Sequence, residues 1–340
     1  MRSSAARRTL RALVALGAAA VLGAFGALGF AAAPALATAR AATTVIGPPY
    51  PAALIVQSEL RLKADLIAKN LGGSPQIVFF GGSRSQRFDP AFARRRLGLR
   101  AVNVAHSCAR PEAAWAYAHW FYKRWPDAKL RWVWGMQGPM LRDRDLDPAL
   151  LQDPRFYRSF PDDLLASQRR LLPGSVGQMP SSYGFLRNRY SSLGMTVWNV
   201  YDSKRAAGYT LDQSLDAYIT NMLHQSRRAS LGAGTRATRY FEQTLQYLND
   251  HGTTPVIVLM PIHPRVLRVM AAHDMGGERQ QIRDYLAGLA ETYDLRVLDF
   301  TRIQSFNGEP DWFYDGVHIT RGNANRVITA LRAQAREYLK

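Results

Sequence analysis

Gln76-Ile77-Val78-Phe79-Phe80-Gly81-Gly82-Ser83-Arg84-Ser85 is the stretch whose reading decides the fold. Its first five residues are a mainly apolar run, with Ile77 to Phe80 all β-branched or aromatic, the composition of a buried strand. The paired glycines then end the run in a tight turn that presents a serine. Runs of the same kind recur at 100–104, 130–136, 255–260 and 296–300. Helix-length segments fall between them at 111–125, 238–249 and 278–292, and 323–339 closes the chain. Pro111 suits a first helical turn, where its missing N–H is not needed. Strands alternating with helices predict parallel βαβ units, hence an α/β chain built as a three-layer α/β/α sandwich on a mainly parallel five-stranded sheet. Ligands of such folds bind at the carboxyl ends of the strands.

The residues with chemistry fall at that edge. Ser83 follows the first run, Gln137 the third and His263 the fourth, while Asp315 and His318 lie in the loop after the fifth. A hydroxyl, an imidazole and a carboxylate are the minimum set for acyl transfer through a serine ester. Residues 140–235 break the rhythm, with five prolines (Pro148, Pro154, Pro161, Pro173, Pro180), many arginines and a short helical piece expected at 162–172. This segment reads as an insertion after the third strand, where long insertions cover or shape a site.

Residues 1–45 are set apart from the folded domain, which is expected to span 46–340. Arg2, Arg7, Arg8 and Arg11 form a basic head, an uncharged run follows from Ala12 to Ala33, and Ala35-Leu36-Ala37 offers a small-x-small cleavage site. The pattern is that of a signal peptide; the apolar run is also about 20 residues long, enough for an uncleaved membrane anchor. Either reading places the rest outside the cytoplasm, with the membrane touched only by the N-terminal segment. Taking the four head arginines from the net +18 leaves +14, a balance suited to anionic surroundings such as a carboxylate- or phosphate-rich envelope polymer. The arginines are scattered through helices and form no aromatic-interleaved stripe, so nucleic acid is not an expected partner. Cys108 is the single cysteine, which excludes an intrachain disulfide and reads as a small buried residue. The seven histidines show no metal-ligand spacing, and no metal or cofactor is expected.

In four blocks the chain resembles the SGNH (GDSL-like) hydrolases and acyltransferases. Gly81-Gly82-Ser83-Arg84-Ser85 is similar to the first block, with Gly82 where the family has Asp. Asn103-Val104-Ala105-His106-Ser107-Cys108 resembles the second, with Cys108 in place of the glycine that donates its N–H to the oxyanion. Gly135-Met136-Gln137-Gly138 stands for the third, with Gln137 in the asparagine's place. Asp315-Gly316-Val317-His318 fits the last block without departure.

The resemblance covers about 76–138 and 254–340 and implies a flavodoxin-like SGNH fold. It implies Ser83 as nucleophile, His318 as base, Asp315 as its orienting acid, and an oxyanion hole from the N–H groups of Ser83 and Cys108 with the Gln137 amide. Arg84 and His263 are the expected substrate-binding residues. The implied function is an exported serine-dependent esterase or O-acyltransferase acting on acyl esters of a cell-envelope glycan, lipid or polymer. The alternative is a non-catalytic envelope-polymer binding or assembly protein that keeps the fold.

Overall fold

The computed structural model describes residues 45–46, 52–142, 150, 153, 155–160, 188–225 and 234–339. Apart from Val45, the expected N-terminal targeting segment lies outside the described residues, as does the helical piece expected at 162–172. No described helix is long and apolar enough to cross a membrane.

The chain is an α/β protein whose centre is a five-stranded parallel sheet: β1 (Ile77–Gly81), β2 (Ala101–Asn103), β3 (Arg131–Met136), β4 (Val256–Leu259) and β5 (Arg296–Asp299). The strands lie in the order β2-β1-β3-β4-β5, and every pairing is parallel. All five apolar runs expected as strands are strands. The helices in chain order are α1 (Ala52–Asn70), α2 (Pro90–Leu97), α3 (Pro111–Arg124), α4 (Val200–Ala206), α5 (Leu211–Gln225), α6 (Arg236–Asp250), α7 (Pro264–Ala272), α8 (Gly277–Leu289) and α9 (Arg321–Gln334).

Strand periodicity splits the core into two layers. Val78, Phe80, Trp132, Trp134 and Ile257 face α1, α3, α6 and α8, in one cluster with Ile67, Tyr117, Phe241 and Ile282. Their neighbours Ile77, Phe79, Val133, Val256 and Val258 face α2 and α9, packing with Ala93, Val327, Ile328 and Leu331. β1 to β4 are buried on both faces and read as mainly apolar runs, whereas the edge strand β5 is exposed at Arg296 and Asp299. The helix 111–124 buries Tyr117, Trp120, Phe121 and Tyr122 in the first layer.

The segment after β3 adds a small antiparallel sheet in which Arg189–Tyr190 pairs with Val45–Ile46 and with Thr196–Trp198. Arg87, 5 % exposed, staples this segment to the main domain. Its guanidinium donates to the carbonyls of Thr196 (3.0 Å) and Val197 (2.7 Å) and to Asn199 Oδ1 (3.2 Å), and pairs with Asp202.

Candidate active site

β1 ends at Gly81 in a conformation (φ +147°) that a side chain rarely adopts, and a β-carbon there would meet the Gly135 carbonyl at 2.7 Å. The chain turns through Gly82 into a 3₁₀ turn, Ser83–Ser85, which sets Ser83 at the carboxyl edge of the central strands. Asn103, fully buried at the end of β2, fixes that turn. Its amide nitrogen donates to the carbonyls of Ser85 (3.1 Å), Gln86 (3.3 Å) and Phe88 (2.8 Å), and its oxygen accepts the Ala105 N–H (2.9 Å).

On the other side, an antiparallel bridge between Phe313 and Ile319 and a hydrogen bond from Tyr314 N to His318 O (2.7 Å) close a tight loop. Within it Asp315 Oδ1 accepts the backbone N–H groups of Val317 (2.9 Å) and His318 (2.8 Å). The loop thereby aims the carboxylate at its own histidine. His318 Nδ1 lies 2.8 Å from Asp315 Oδ2 and 3.0 Å from Oδ1. Burial alone would raise the Asp315 pKa; the adjacent His318 and the hydrogen bonds from its ring and from both N–H groups outweigh burial and hold the carboxyl below its ordinary 3.8. An ionised carboxylate only accepts, so Nδ1 carries a proton, and in the neutral ring Nε2 presents a lone pair. Ser83 Oγ lies 2.8 Å from that Nε2. The three residues expected as a triad are therefore joined in one hydroxyl–imidazole–carboxylate chain.

A second hydroxyl reaches the same nitrogen. Tyr201 OH stands 3.0 Å from His318 Nε2, with its ring 4.2 Å from the imidazole. Burial, and next the charge of Asp315, raise the phenol pKa, so it is a neutral O–H beside the base. It comes from α4 in the inserted segment, whose start is fixed by a capping box between Asn199 and Asp202. Asp202 Oδ1 also accepts the Tyr314 hydroxyl (2.6 Å), and Arg205 donates to Phe313 O (2.6 Å). α4 thus forms one wall of the site. Nothing in the sequence marked Tyr201, although Asn199-x-x-Asp202 is a readable helix-start signal.

The oxyanion candidates sit as follows. Cys108 is exposed and adopts φ +56°; the small buried residue expected there is corrected, because a left-handed turn lifts the side chain out of the domain. That is a backbone conformation that favours glycine, and glycine is the residue the resemblance places at this position. Cys108 and Arg84 both lie near enough to Tyr201 to act on its ionisation. The N–H of Ser83 donates to no partner among the described residues. Gln137, half-buried at the end of β3, points its amide at the turn: a β-carbon on Gly82 would overlap Gln137 Nε2 and stand 3.1 Å from its Cδ. The two departures from the resembled pattern are therefore complementary, since the longer glutamine occupies the space that an aspartate at 82 would need.

The turn carrying Cys108 is held from below by α1, in a segment where the sequence reading found no site residues. Glu59 (1 % exposed) and Lys63 (0 % exposed) are both buried, and their charged ends stand 3.9 Å apart. Glu59 Oε2 accepts the Ser107 N–H (2.9 Å), its Oε1 accepts from Gln86 Nε2 (2.7 Å), and Lys63 Nζ donates to the Ala105 carbonyl. The readable signal is an acid and a lysine four apart on one helix.

Of the two expected substrate-binding residues, only Arg84 lines the cleft beside Gln137. His263 does not. It is 7 % exposed, its Nδ1 accepts the Arg265 N–H at the start of α7 (3.1 Å), and its ring packs edge-on against Phe313 at 5.3 Å. With its own N–H donating to Gly316 O (2.9 Å), it anchors the Asp315 loop instead of meeting substrate. No group of His, Cys, Asp and Glu among the described residues has metal-site geometry.

The Gly82–Gln137 contact can be tested directly. Gly82→Ala is expected to displace the amide and lower kcat on a simple acyl ester by about 10²–10³-fold, the usual cost of one oxyanion donor. Gln137→Ala should cost the same, and the double variant no more than either. Additive losses measured in that cycle would separate the two residues.

No protein-family model matches this chain, and no curated protein is significantly similar to it.

Proposed function

We propose that this chain is a serine-dependent esterase or O-acyltransferase of the SGNH type, exported to act on acyl esters of a cell-envelope glycan, lipid or polymer. The observation that carries the reading is the Ser83–His318–Asp315 chain, 2.8 Å at the nucleophile and 2.8 Å at the acid, at the strand edge where ligands of such sheets bind. The basic, then apolar N-terminus motivates the export, and the positive balance the anionic surroundings.

The chemistry follows from the geometry. Ser83 Oγ attacks the ester carbonyl carbon as His318 Nε2 takes its proton, and Asp315 stabilises the imidazolium that forms. The oxyanion meets the N–H groups of Ser83 and Cys108 and the Gln137 amide, each such donor contributing about 3 kcal/mol. His318 returns the proton to the departing alkoxide, which leaves an acyl-serine. Water or a sugar hydroxyl then attacks that ester, with His318 again as base. The Tyr201 hydroxyl shares the Nε2 lone pair with Ser83 in the resting site, so bound substrate must favour the Ser83 contact.

A fluorophosphonate probe tests the reading. The wild-type chain should be labelled, and peptide mass spectrometry should place the adduct on Ser83. Labelling that persists at another residue in Ser83→Ala, or no labelling of a folded wild type, would sink the proposal.

A further inference from the structure

Beside the nucleophile, between the β3 and β4 ends and α8, lies a cavity of about 40 Å³ lined by Arg84, Gln137, Arg279, Arg283, Ile282 and Met260 among others. At roughly 10–15 Å³ per water, it admits about three waters. That is room for a carboxylate or phosphate group, with the rest of a ligand outside in the open part of the cleft. Its charges are unbalanced. Arg283 is engaged with Asp299 (2.9 Å), and Glu278, which packs against Gly138, is engaged with Arg142 (2.9 Å). Arg84 and Arg279 form no ion pair among the described residues, and Arg279 Nε is buried without a hydrogen-bond partner there. Burial, and next the charge of Arg283, lower the Arg279 pKa from its ordinary 12.5, the direction expected of a cation kept near another cation.

The carboxylate that acts on Arg279, Asp299, is paired with Arg283 and counts for less than that cation, so two half-buried guanidinium groups without an ion pair of their own are costly unless an anion completes them. We infer that this cavity is a compact-anion subsite, so that the ester taken by Ser83 carries a carboxylate or phosphate a few bonds from its carbonyl. The ester part of this inference rests on the acyl-transfer reading above; the anion part does not. Arg84 joins the two because it follows the nucleophile directly, and Gln137 because its amide faces the Gly82 turn while it lines the cavity.

The charge can belong to the acyl group or to the alcohol, and two ester pairs distinguish them. 4-Nitrophenyl hemisuccinate against 4-nitrophenyl butyrate varies the acyl side, and 4-acetoxybenzoate against its methyl ester varies the alcohol side. In one pair the anionic member should show a kcat/KM about tenfold or more above the neutral one, as expected for a charge-assisted contact. Arg279→Gln should abolish that preference, and Arg279→Lys should keep part of it. Turnover of both pairs without any anionic preference overturns the subsite and leaves the esterase reading standing. If no ester is turned over, the esterase reading fails, and calorimetric titration of the full chain with succinate and 4-hydroxybenzoate decides the subsite. Binding that weakens about tenfold or more in Arg279→Gln upholds it; absent or unchanged binding overturns it.

Discussion

Ester turnover is expected to fall by about 10⁵–10⁶-fold in Ser83→Ala and in His318→Ala, and no further in the double variant. The reason lies in how the two side chains act. Neither removes a proton alone: the hydroxyl is inert without the imidazole, and the imidazole has nothing to activate without the hydroxyl. Loss of either therefore abolishes the same step. Residual rate over water should remain from the N–H groups of Ser83 and Cys108 and the Gln137 amide, which neither substitution touches. The comparison is clean because the Ser83 side chain bonds His318 and no other described residue, so its removal disturbs no structural contact. Losses that multiply in the double variant, measured as kcat/KM on one ester, would show that Ser83 and His318 are not one unit.

Glu59→Ala should cost about 3–5 kcal/mol of stability at pH 7, the usual consequence of leaving a buried charge uncompensated. Four groups lose an acceptor or counter-charge at once: the Ser107 N–H, the Gln86 amide, the Tyr190 hydroxyl and the Lys63 ammonium. Chemical denaturation measures the loss directly, and a cost under 1 kcal/mol would show that water replaces the carboxylate. Lys63 adds a pH signature. Burial, opposed by the attraction of Glu59, lowers its pKa from 10.5 to about 8. The unfolded lysine keeps its proton to about 10.5, so between pH 8 and 10.5 the folded chain binds fewer protons than the unfolded one. This group therefore makes stability rise with pH across that window, by at most about 1.4 kcal/mol per unit. Lys63→Met should flatten the rise.

Four of the five strands were readable because they are buried on both faces and so appear as mainly apolar runs bounded by turn residues, whereas the edge strand Arg296–Asp299, exposed at both ends, was marked only by Val297 and Leu298. Strand ends were displaced by at most one position: the run at 76–80 became Ile77–Gly81, and 100–104 became Ala101–Asn103. Asp315 and His318 were readable because they act across one short loop, where spacing in the chain is spacing in the molecule. Tyr201 and Arg279 were not, because their relation to the site is made by tertiary packing and leaves no local pattern. Glu59 and Lys63 escaped for a different reason. A helical acid–lysine pair ordinarily marks a solvated face, and only the turn packed over α1 makes this one a buried support. His263 misled because a strand-end histidine looks the same whether it faces a cleft or caps the next helix.

Ser83 and His318 meet across 235 residues of chain, and Tyr201 joins them from a third segment between. Contacts so distant pay the largest loop-closure entropy and form late. The nucleophile therefore has no base until nearly the whole topology is in place, and an unfinished chain carries an unactivated serine. Recovery of turnover during refolding would accordingly register completed topology, whereas the early return of helical signal would not.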